Sequence, residues 1–339
     1  MKSLFSAVAG GLLAALIAAS PAAAQGDLRK LRMAEVVRSQ FYVPMYVALT
    51  KGFVAQEGLD VELVTANGGD KVGALLLTDQ VDFALSGPEV PIYIHNGESP
   101  DKPRIFSALT ATDGLFFVSR EPIADFDWSM VDGKTIMGWR PGSTPQLYLE
   151  YVLKQNGVDA ATIDGIITNI GPQAREGAWI SGTGDFAIFN EPALTKLEQA
   201  GALNVLASIG AHVGRADYTV FFAKSSWLEE NPEAAQGWTN AIGRAQRWIE
   251  TATDADIAEA IAPFFPGLTP EDNLAVVLRY RGNSEPIWAE STVVSPEGLA
   301  MAQKIMVIGG VMREEDVVDY DVIVATEFAE AAETALASN

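Results

Sequence analysis

Residues Ser39–Leu63 read SQFYVPMYVALTKGFVAQEGLDVEL. Within them Val43–Gln56 is predicted to be a helix, and Pro44 suits its first turn because that turn needs no backbone donor. The β-branched run Val61–Thr65 predicts a strand, and Leu31–Val37 predicts another strand just upstream. Two strands joined through a helix favour a parallel βαβ unit.

The same alternation of strand, loop and helix continues along the chain. Short β-branched or aromatic runs predict further strands at Phe83–Leu85, Ile105–Leu109, Leu115–Ser119, Thr135–Met137, Ile166–Asn169, Phe186–Phe189, Leu203–Ser208 and Val220–Ala223. Helices are predicted from Lys71, at Val90–His95 and Gln146–Gln155, and in a tail at Pro232–Thr251, Pro270–Tyr280, Pro296–Ile308 and Glu327–Leu336. This order predicts an α/β fold with mostly parallel sheets that helices cover on both faces.

Two strand-rich units followed by a helical tail predict two lobes. The chain is expected to leave the first lobe near Thr110–Gly114 and to return near Arg215–Thr219. The predicted boundaries are 25–113 with 218–339 for lobe 1 and its tail, and 114–217 for lobe 2. Two crossings form a hinge beside a cleft, which is the usual place for a small ligand and closes around it.

The first 24 residues have the three parts of a secretory signal: Lys2, an apolar run from Leu4 to Ala19, and small residues ending at Ala24. A membrane anchor is the alternative, but the run is short for a bilayer and contains glycines. We therefore expect a signal peptide over 1–24, cleaved near Ala24. Export without a lipid anchor favours the periplasm, with free secretion as the alternative.

Composition excludes several classes of function. The chain has no cysteine, which excludes disulfides, thiolate metal sites, thiol nucleophiles and a lipidated cysteine. Its 23 basic and 44 acidic residues give a net charge of −21, which becomes −22 when Lys2 is removed with the signal. Such a surface repels nucleic acid and anionic lipid, so neither is an expected partner, and it favours a soluble monomer.

Ligands of open α/β sheets bind beyond the carboxyl ends of the strands, where helices begin. Five loops are predicted there: Arg38–Tyr42, Thr65–Asp70, Ser86–Glu89, Gly138–Pro145 and Asn190–Pro192. These loops and the first crossing supply the candidate ligand-binding residues, which are Gln40, Phe41, Tyr42, Asn67, Gly68, Gly87, Glu89, Asp113, Trp139, Arg140, Ser143, Thr144, Asn190 and Glu191.

Each type of candidate residue also has a structural interpretation. Ser143 and Thr144 with Arg140 could hold an anion, or could cap a helix beside a solvated arginine. Glu89 and Glu191 could cap helices, accept hydrogen bonds from ligand N–H groups, or perform acid–base chemistry, although no nucleophile with its base lies nearby in the sequence. The aromatic residues could stack on a flat ligand or pack in the core.

Metal, cofactor and catalytic motifs are absent from the sequence. The two histidines, His95 and His212, lack metal-ligand spacing. Asp70, Asp113 and the two glutamates could gather around Ca²⁺, but no EF-hand loop is present. There is no phosphate-binding loop and no well-placed dinucleotide motif. The sequence therefore predicts neither a metal nor a cofactor, and it argues against an enzyme.

Several segments resemble one family in the order in which they occur. Ser39–Leu63 is similar to the opening of periplasmic binding proteins of the nitrate/sulfonate/taurine and thiamine-pyrimidine-precursor group. The resemblance extends over nearly all of Leu31–Trp248. It is carried further by Asn67–Asp70, by QVDFALSGPE at Gln80–Glu89, by GDFAIFNEP at Gly184–Pro192, and by Tyr218–Ala223 with Leu228–Glu233.

This resemblance implies a type II periplasmic-binding fold, with two lobes joined by two hinge strands and a ligand cleft between them. It implies that a small solute is delivered to the membrane permease and ATPase of an ABC importer. Members bind nitrate, alkanesulfonates, taurine, bicarbonate or pyrimidine precursors. The loop Gly142–Thr144 resembles the anion-holding loop of the sulfonate branch, whereas Glu89, Glu191, Trp139 and Phe189 favour a nitrogen heterocycle. A heteroaromatic or zwitterionic solute is the slightly favoured expectation.

Two alternatives remain. An enzyme of the same fold builds the thiamine pyrimidine from its own histidine and pyridoxal phosphate, but it carries a cysteine-rich motif and works in the cytosol. This chain has no cysteine and a predicted export signal. A ligand-sensing module that hands its liganded state to a receptor is the other alternative, and the sequence does not separate sensing from import.

Overall fold

A computed structural model describes residues 27–158 and 162–338. The predicted signal peptide, 1–24, lies outside the described residues. The strands are β1 Arg29–Glu35, β2 Leu59–Thr65, β3 Phe83–Ser86, β4 Pro103–Thr110, β5 Phe116–Ser119, β6 Thr135–Met137, β7 Gly165–Ile167, β8 Phe186–Phe189, β9 Asn204–Ser208 and β10 Thr219–Lys224.

The helices surround these strands and make up the C-terminal part of the chain. They are α1 Val43–Thr50, α2 Phe53–Gln56, α3 Gly69–Leu77, α4 Glu89–Asn96, α5 Thr144–Gln155, α6 Arg175–Ile180, α7 Ala193–Gln199, α8 Ile209–Val213, α9 Ser225–Glu230, α10 Pro232–Thr251, α11 Asp254–Ile261, α12 Pro270–Arg281, α13 Pro296–Ile308, α14 Tyr320–Ile323 and α15 Thr326–Ala337. Short 3₁₀ turns lie at Gln40–Tyr42, Trp128–Val131, Pro172–Ala174, Ala262–Phe264 and Glu314–Asp316.

The strands form two five-stranded sheets, in the orders β2-β1-β3-β10-β4 and β7-β6-β8-β5-β9. In the first sheet β10 runs antiparallel to both of its neighbours, and in the second sheet β5 does the same. The pairs β1–β2, β1–β3, β6–β7 and β6–β8 are parallel. The predicted α/β class is confirmed, and each sheet contains one reversed strand.

The chain passes between the two sheets twice. It leaves the first sheet after β4, which ends at Thr110, and enters the second at Phe116 of β5. It leaves the second sheet after β9 and returns to the first with β10. Each reversed strand is therefore the first strand after a crossing. Below, lobe 1 and lobe 2 denote the units built on the first and the second sheet; the residue boundaries 25–113, 114–217 and 218–339 stay a prediction.

The bounds of several predicted elements are shifted, such as the strand predicted at Leu31–Val37 and found at Arg29–Glu35, and two predictions differ further. The single helix predicted over Val43–Gln56 is wrong, because the helix stops at Thr50 and restarts at Phe53. Gly52 lies between the two pieces with a φ of 72°, a left-handed conformation that ends a helix and favours glycine. The strand predicted at Ile166–Asn169 is shorter and shifted, and occupies Gly165–Ile167.

Aromatic side chains fill the core of lobe 1. Trp238 of α10 is fully buried and packs edge-on against Phe83, with ring centroids 4.9 Å apart, and against Phe221 at 5.2 Å. These contacts hold the longest helix against the middle of the first sheet. Truncation of such a side chain to alanine typically costs about 3–5 kcal/mol.

The predicted helical tail is confirmed, and it contacts the segments where the chain changes lobe. The hydroxyl of Tyr280 in α12 donates to the carbonyl of Gly114 at 3.4 Å. The backbone nitrogen of Ser295 donates to Asp217 Oδ2 at 2.6 Å. The tail is thus tied to both crossings. Among the described helices, none has the length and apolar character needed to cross a membrane.

Candidate functional site

An inner cavity of about 70 Å³ lies between the two sheets, at the carboxyl ends of their parallel strands. Its wall comes from both lobes. Nine of the fourteen predicted site residues line it: Phe41, Tyr42, Gly87, Glu89, Trp139, Arg140, Ser143, Thr144 and Asn190. The prediction did not include the other lining residues, which are Val36, Val37, Ser39, Gly69, Leu115, Pro145, Pro172, Tyr218 and Thr219.

Glu89 is the buried carboxylate of this cavity. It begins α4, and only 6% of its surface is exposed. Thr144, the first residue of α5 in lobe 2, donates its backbone N–H to Glu89 Oε1 at 3.3 Å and its hydroxyl to Oε2. The N-terminus of α5 thus faces a carboxylate from the opposite lobe, an arrangement that a helix dipole stabilises. Burial nevertheless raises the pKa of Glu89, and the hydrogen bonds from Thr144 oppose part of that rise.

Gly87 is required at this contact. A Cβ atom on Gly87 would lie 2.1 Å from both Glu89 Oε2 and Thr144 Oγ1, a distance at which atoms overlap. Any larger residue would push the carboxylate and the hydroxyl apart. The strand-end sequence Ser86–Glu89 therefore brings the backbone of lobe 1 close enough for Glu89 to reach lobe 2.

Aromatic rings line much of the remaining wall. The ring of Phe41 meets Tyr218 edge-on with centroids 5.2 Å apart, and Tyr42 lies 5.7 Å from Phe41. Burial raises the pKa of both phenols far above its usual range, so they stay neutral hydroxyl groups. Trp139 follows β6, and its backbone N–H donates to Gln146 Oε1 at 2.8 Å. Among the described residues, the cavity wall thus combines four aromatic side chains with aliphatic and hydroxyl groups and one carboxylate.

A second pair of contacts joins the lobes at the edge of the cavity. Arg140 Nη1 lies 2.6 Å from Asp70 Oδ1, and the Tyr93 hydroxyl donates to the Gly142 carbonyl at 3.0 Å. The Arg140 side chain is 32% exposed and that of Asp70 67% exposed. The positive charge of Arg140 is thus directed to a carboxylate of the opposite lobe.

Five predicted residues lie outside the inner cavity. Gln40 is buried and donates to Asn273 Oδ1 at 2.6 Å. Gly68 packs under Arg140, where a Cβ atom would come within 2.4 Å of Nη2. Asn67, in the left-handed region with a φ of 59°, lines a neighbouring opening of about 410 Å³.

The remaining two are buried carboxylates with structural partners. Asp113 is fully buried in the first crossing, where it accepts a hydrogen bond from the Leu115 backbone at 2.5 Å, and burial raises its pKa to about 8. Glu191 accepts the Thr195 backbone N–H at 2.9 Å, which caps α7, and forms an ion pair with Arg279 at 2.9 Å. The contacts of Glu191 therefore match the helix-capping interpretation. Glu89 instead accepts hydrogen bonds from the first residue of a helix in the opposite lobe.

Wider openings flank the inner cavity on two sides. The 410 Å³ opening shares Val37, Trp139, Pro172 and Asn190 with it. An opening of about 700 Å³ shares Gly69, Glu89, Arg140 and Ser143. Within residues 27–158 and 162–338, no three acidic or histidine side chains lie close enough together to hold a metal ion. The prediction that no metal is used stays a prediction.

Comparison with known proteins gives the relationship of the chain. Residues 25–263 match the model of the NMT1-like family. YtlA of Bacillus subtilis (strain 168), which bears the name of a candidate binding protein, is 36% identical over 303 residues, covering 89% of this chain and 90% of YtlA.

Solved structures share the fold at low identity. The nitrate-binding protein NrtA of Synechocystis PCC 6803 has a TM-score of 0.77 at 16% identity, covering 91% of this chain and 89% of NrtA. The alkanesulfonate-binding protein SsuA of Xanthomonas axonopodis pv. citri, bound to MOPS, has a TM-score of 0.71 at 15% identity, covering 88% and 99%. The desulfurization enzyme DSZB has a TM-score of 0.66 at 13% identity, covering 91% and 99%.

The resemblance found in the sequence is thus confirmed, and so is the periplasmic-binding fold. The chain belongs to the NMT1-like family.

Proposed function

We propose that this protein is the solute-binding component of an ABC importer, exported to the periplasm, and that it encloses one small organic solute between its lobes. Family membership and the name of its relative YtlA support a binding role. The observation that carries the proposal is the hydrogen bonding of Glu89 in lobe 1 to Thr144 in lobe 2 across an enclosed cavity. A cleft bridged in this way matches hinge closure around a ligand.

The charges around the cavity favour a ligand that donates hydrogen bonds. Among the described residues, no lysine, arginine or histidine forms an ion pair with Glu89, and Arg140 is already paired with Asp70. A ligand N–H group or cation would compensate the buried carboxylate, because an ionised group without a partner is costly to bury. Stacking against the aromatic walls would suit a flat ring. A nitrogen heterocycle bearing an amino group fits both requirements.

An anionic ligand is the second candidate, because NrtA and SsuA are nitrate- and alkanesulfonate-binding proteins. The matching loop here is Gly142–Thr144. However, the backbone N–H and the hydroxyl of Thr144 both donate to Glu89. The groups that would hold an anion thus face a carboxylate, which argues against nitrate or a sulfonate.

Catalysis is the competing class of function, because DSZB shares the fold. None of the described residues lining the inner cavity is a histidine, lysine or cysteine, so a hydroxyl there has no basic partner other than a carboxylate. This composition supports binding without turnover. Conversion of a bound compound into a product would contradict the proposal.

The proposal is tested with mature protein and a small panel of compounds: 4-aminopyrimidine, methylammonium, taurine and nitrate. Thermal shift and calorimetry should show binding of 4-aminopyrimidine, because a ligand of the folded state raises the apparent stability. Trp139→Ala should weaken it by about tenfold or more, a typical cost of losing a stacked aromatic wall. Trp248→Ala is the control, since Trp248 lies in α10 and its ring packs under Lys51. Equal effects of the two variants would remove Trp139 from the site.

Import and sensing predict different genetic results. A permease gene and an ATPase gene beside this gene would favour import, and their deletion should abolish uptake of the ligand. Uptake that persists without them, together with loss of a transcriptional response in cells lacking this protein, would favour sensing.

A further inference from the structure

Arg175 is a buried cation that no sequence motif singles out. Only 2% of its surface is exposed, and among the described residues it forms no ion pair with a carboxylate. Its guanidinium donates instead to backbone carbonyls: to Gly138, to Met137 at 3.2 Å and to Ile188 at 2.8 Å. Met137 ends β6, Gly138 follows it, and Ile188 belongs to β8. Arg175 therefore joins two strands of the second sheet at the ends that face the cavity.

The same guanidinium lies against the indole of Trp139. Its carbon is 4.4 Å from the centre of the Trp139 ring, well within the range of a cation–π contact. Trp139 lines both the inner cavity and the 410 Å³ opening, whereas Arg175 lines only the opening. Trp139 is therefore shared by the two spaces, and the guanidinium that contacts its ring belongs to the opening alone.

Burial of this charge is costly for the fold. Desolvation lowers the pKa of Arg175 to about 9. A methionine of similar length could fill much of the same volume without desolvating a charge. The guanidinium provides two things that an apolar side chain lacks. It is a fork that binds three carbonyls, and it has a positive face that contacts the Trp139 indole and, at 5.5 Å, the ring of Phe189.

The backbone of Trp139 has its own anchor. Its N–H is bonded to Gln146 Oε1, and a Cβ atom on the preceding Gly138 would lie 2.4 Å from that oxygen. Gln146 thus holds the main chain and Arg175 holds the ring. Together they leave the indole little freedom to rotate.

We propose that Arg175 is a positioning residue for the ligand: it holds the Trp139 indole as a fixed flat wall on which the ring of the solute stacks. This inference rests on the proposed function, because it assigns the wall a stacking role in that site. Selectivity follows from it, since a flat heteroaromatic ring uses the wall and a small aliphatic ammonium that contacts only Glu89 does not.

The chain offers a matched control in the same lobe. Arg120 lies 3.9 Å over the ring of Trp179 and donates to the carbonyls of Gly184 and Thr183, both at 2.9 Å. Arg120→Met therefore removes a similar arginine–tryptophan contact and similar carbonyl bonds, but none of these residues lines the inner cavity.

The first test compares two probes, 4-aminopyrimidine and methylammonium, by calorimetry. Arg175→Met should lower the affinity for 4-aminopyrimidine by about tenfold, which corresponds to the loss of a desolvated cation–π contact. The affinity for methylammonium should change by less than about twofold. Arg175→Lys should restore part of the loss, because it keeps a cation under the ring. Arg120→Met should leave the affinity for both probes unchanged. Equal losses for both probes in Arg175→Met and Arg175→Lys would make Arg175 a merely structural residue and overturn the inference.

The second test needs no ligand, so it separates this inference from the proposed function. In ¹⁵N-labelled protein the Trp139 indole N–H should give one sharp NMR signal with slow hydrogen exchange. In Arg175→Met that signal should broaden or split, while Arg120→Met leaves it unchanged. If it is unaffected in both Arg175 variants, the inference is wrong even where wild-type protein binds 4-aminopyrimidine. If the signal responds as expected but neither probe binds, the stacking role and the proposed ligand class are both wrong. The result would then support only the conclusion that Arg175 restrains the Trp139 ring.

Discussion

The backbone nitrogen of Thr144 lies 3.3 Å from a carboxylate oxygen of Glu89, and this hydrogen bond links the first residue of a helix in lobe 2 to the first residue of a helix in lobe 1. The contact therefore exists only while the two lobes face each other closely. It also places the buried carboxylate of Glu89 in the cavity wall. Under the proposed function, one residue thus takes part both in closure and in ligand recognition.

Glu89→Gln separates these two roles. The amide keeps the size of the side chain but lacks the negative charge, so 4-aminopyrimidine should bind about 10- to 100-fold more weakly, as expected for a lost charge-assisted hydrogen bond. The melting temperature of the ligand-free protein should stay the same or rise, because a buried carboxylate is replaced by a neutral group. Glu176→Gln is the control, since Glu176 is exposed and lines the 410 Å³ opening but not the inner cavity. Unchanged affinity in Glu89→Gln would contradict the assigned ligand contact.

The ion pair between Arg140 and Asp70 should favour the closed arrangement only modestly. Both side chains are partly exposed, and pairs of this kind contribute about 0.2–1 kcal/mol. Arg140→Gln should therefore weaken ligand binding by less than about fivefold, and the difference should shrink in high salt.

A double-mutant cycle with Asp70→Asn measures this coupling directly. The two single variants and the double variant should bind 4-aminopyrimidine with nearly the same affinity, because each removes the same interaction. A loss of about a hundredfold or more in Arg140→Gln alone would instead mean that Arg140 contacts the ligand.

Residues of this site whose role follows from their local position in the sequence could be predicted. Residues whose role depends on a partner far away in the sequence could not. Strand-end position was enough to find Glu89, Trp139 and Thr144, because parallel strands bring their carboxyl ends to one edge. Glu191 occupies the same kind of position, yet its partner Arg279 belongs to the distant tail, and no local pattern indicates that pairing. Arg175 was missed for a related reason: a charged residue at the start of a short helix is normally solvated, and only the assembled sheet buries it.

Between about pH 8 and pH 4 the buried acids should stabilise the fold as the pH falls, and Asp113 gives the clearest case. Its pKa is about 8 in the folded protein, above the usual value near 4 of an unfolded aspartate. Between these two values the folded state binds more protons than the unfolded state, so the free energy of unfolding falls as pH rises from about 4 to 8 and levels off above that. Burial also raises the pKa of Glu35, Glu89, Glu191 and Asp217, and each acts in the same direction.

Asp113→Asn isolates the first of these contributions. Urea unfolding at pH 5 and at pH 8 should show a smaller loss of stability in the variant than in the wild type. The difference should be about 3 kcal/mol and no more than about 4, because one proton contributes at most about 1.4 kcal/mol per pH unit. Asp217→Asn serves as a comparison, since Asp217 keeps Arg215 as a charged partner. If wild type and Asp113→Asn lose the same free energy between the two pH values, Asp113 does not titrate in this range.

Glu191 should matter for the stability of the ligand-free protein more than for the choice of ligand. Its carboxylate is fully buried, caps α7 through Thr195 and pairs with Arg279 of the C-terminal tail. Removing one partner of a fully buried pair leaves the other charge uncompensated, which costs about 3–5 kcal/mol. The cost should be smaller here, because Arg279 is 21% exposed and also contacts Glu198. Glu191→Ala should therefore lower the free energy of unfolding by about 2 kcal/mol, measured by urea denaturation, whereas Glu198→Ala, at a site 39% exposed, should lower it by less than about 1 kcal/mol. The ratio of affinities for 4-aminopyrimidine and methylammonium should be the same in both variants as in the wild type. A stable Glu191→Ala protein with an altered ratio would return Glu191 to the ligand site, because a residue that only ties α7 to the tail has no means of distinguishing the two probes.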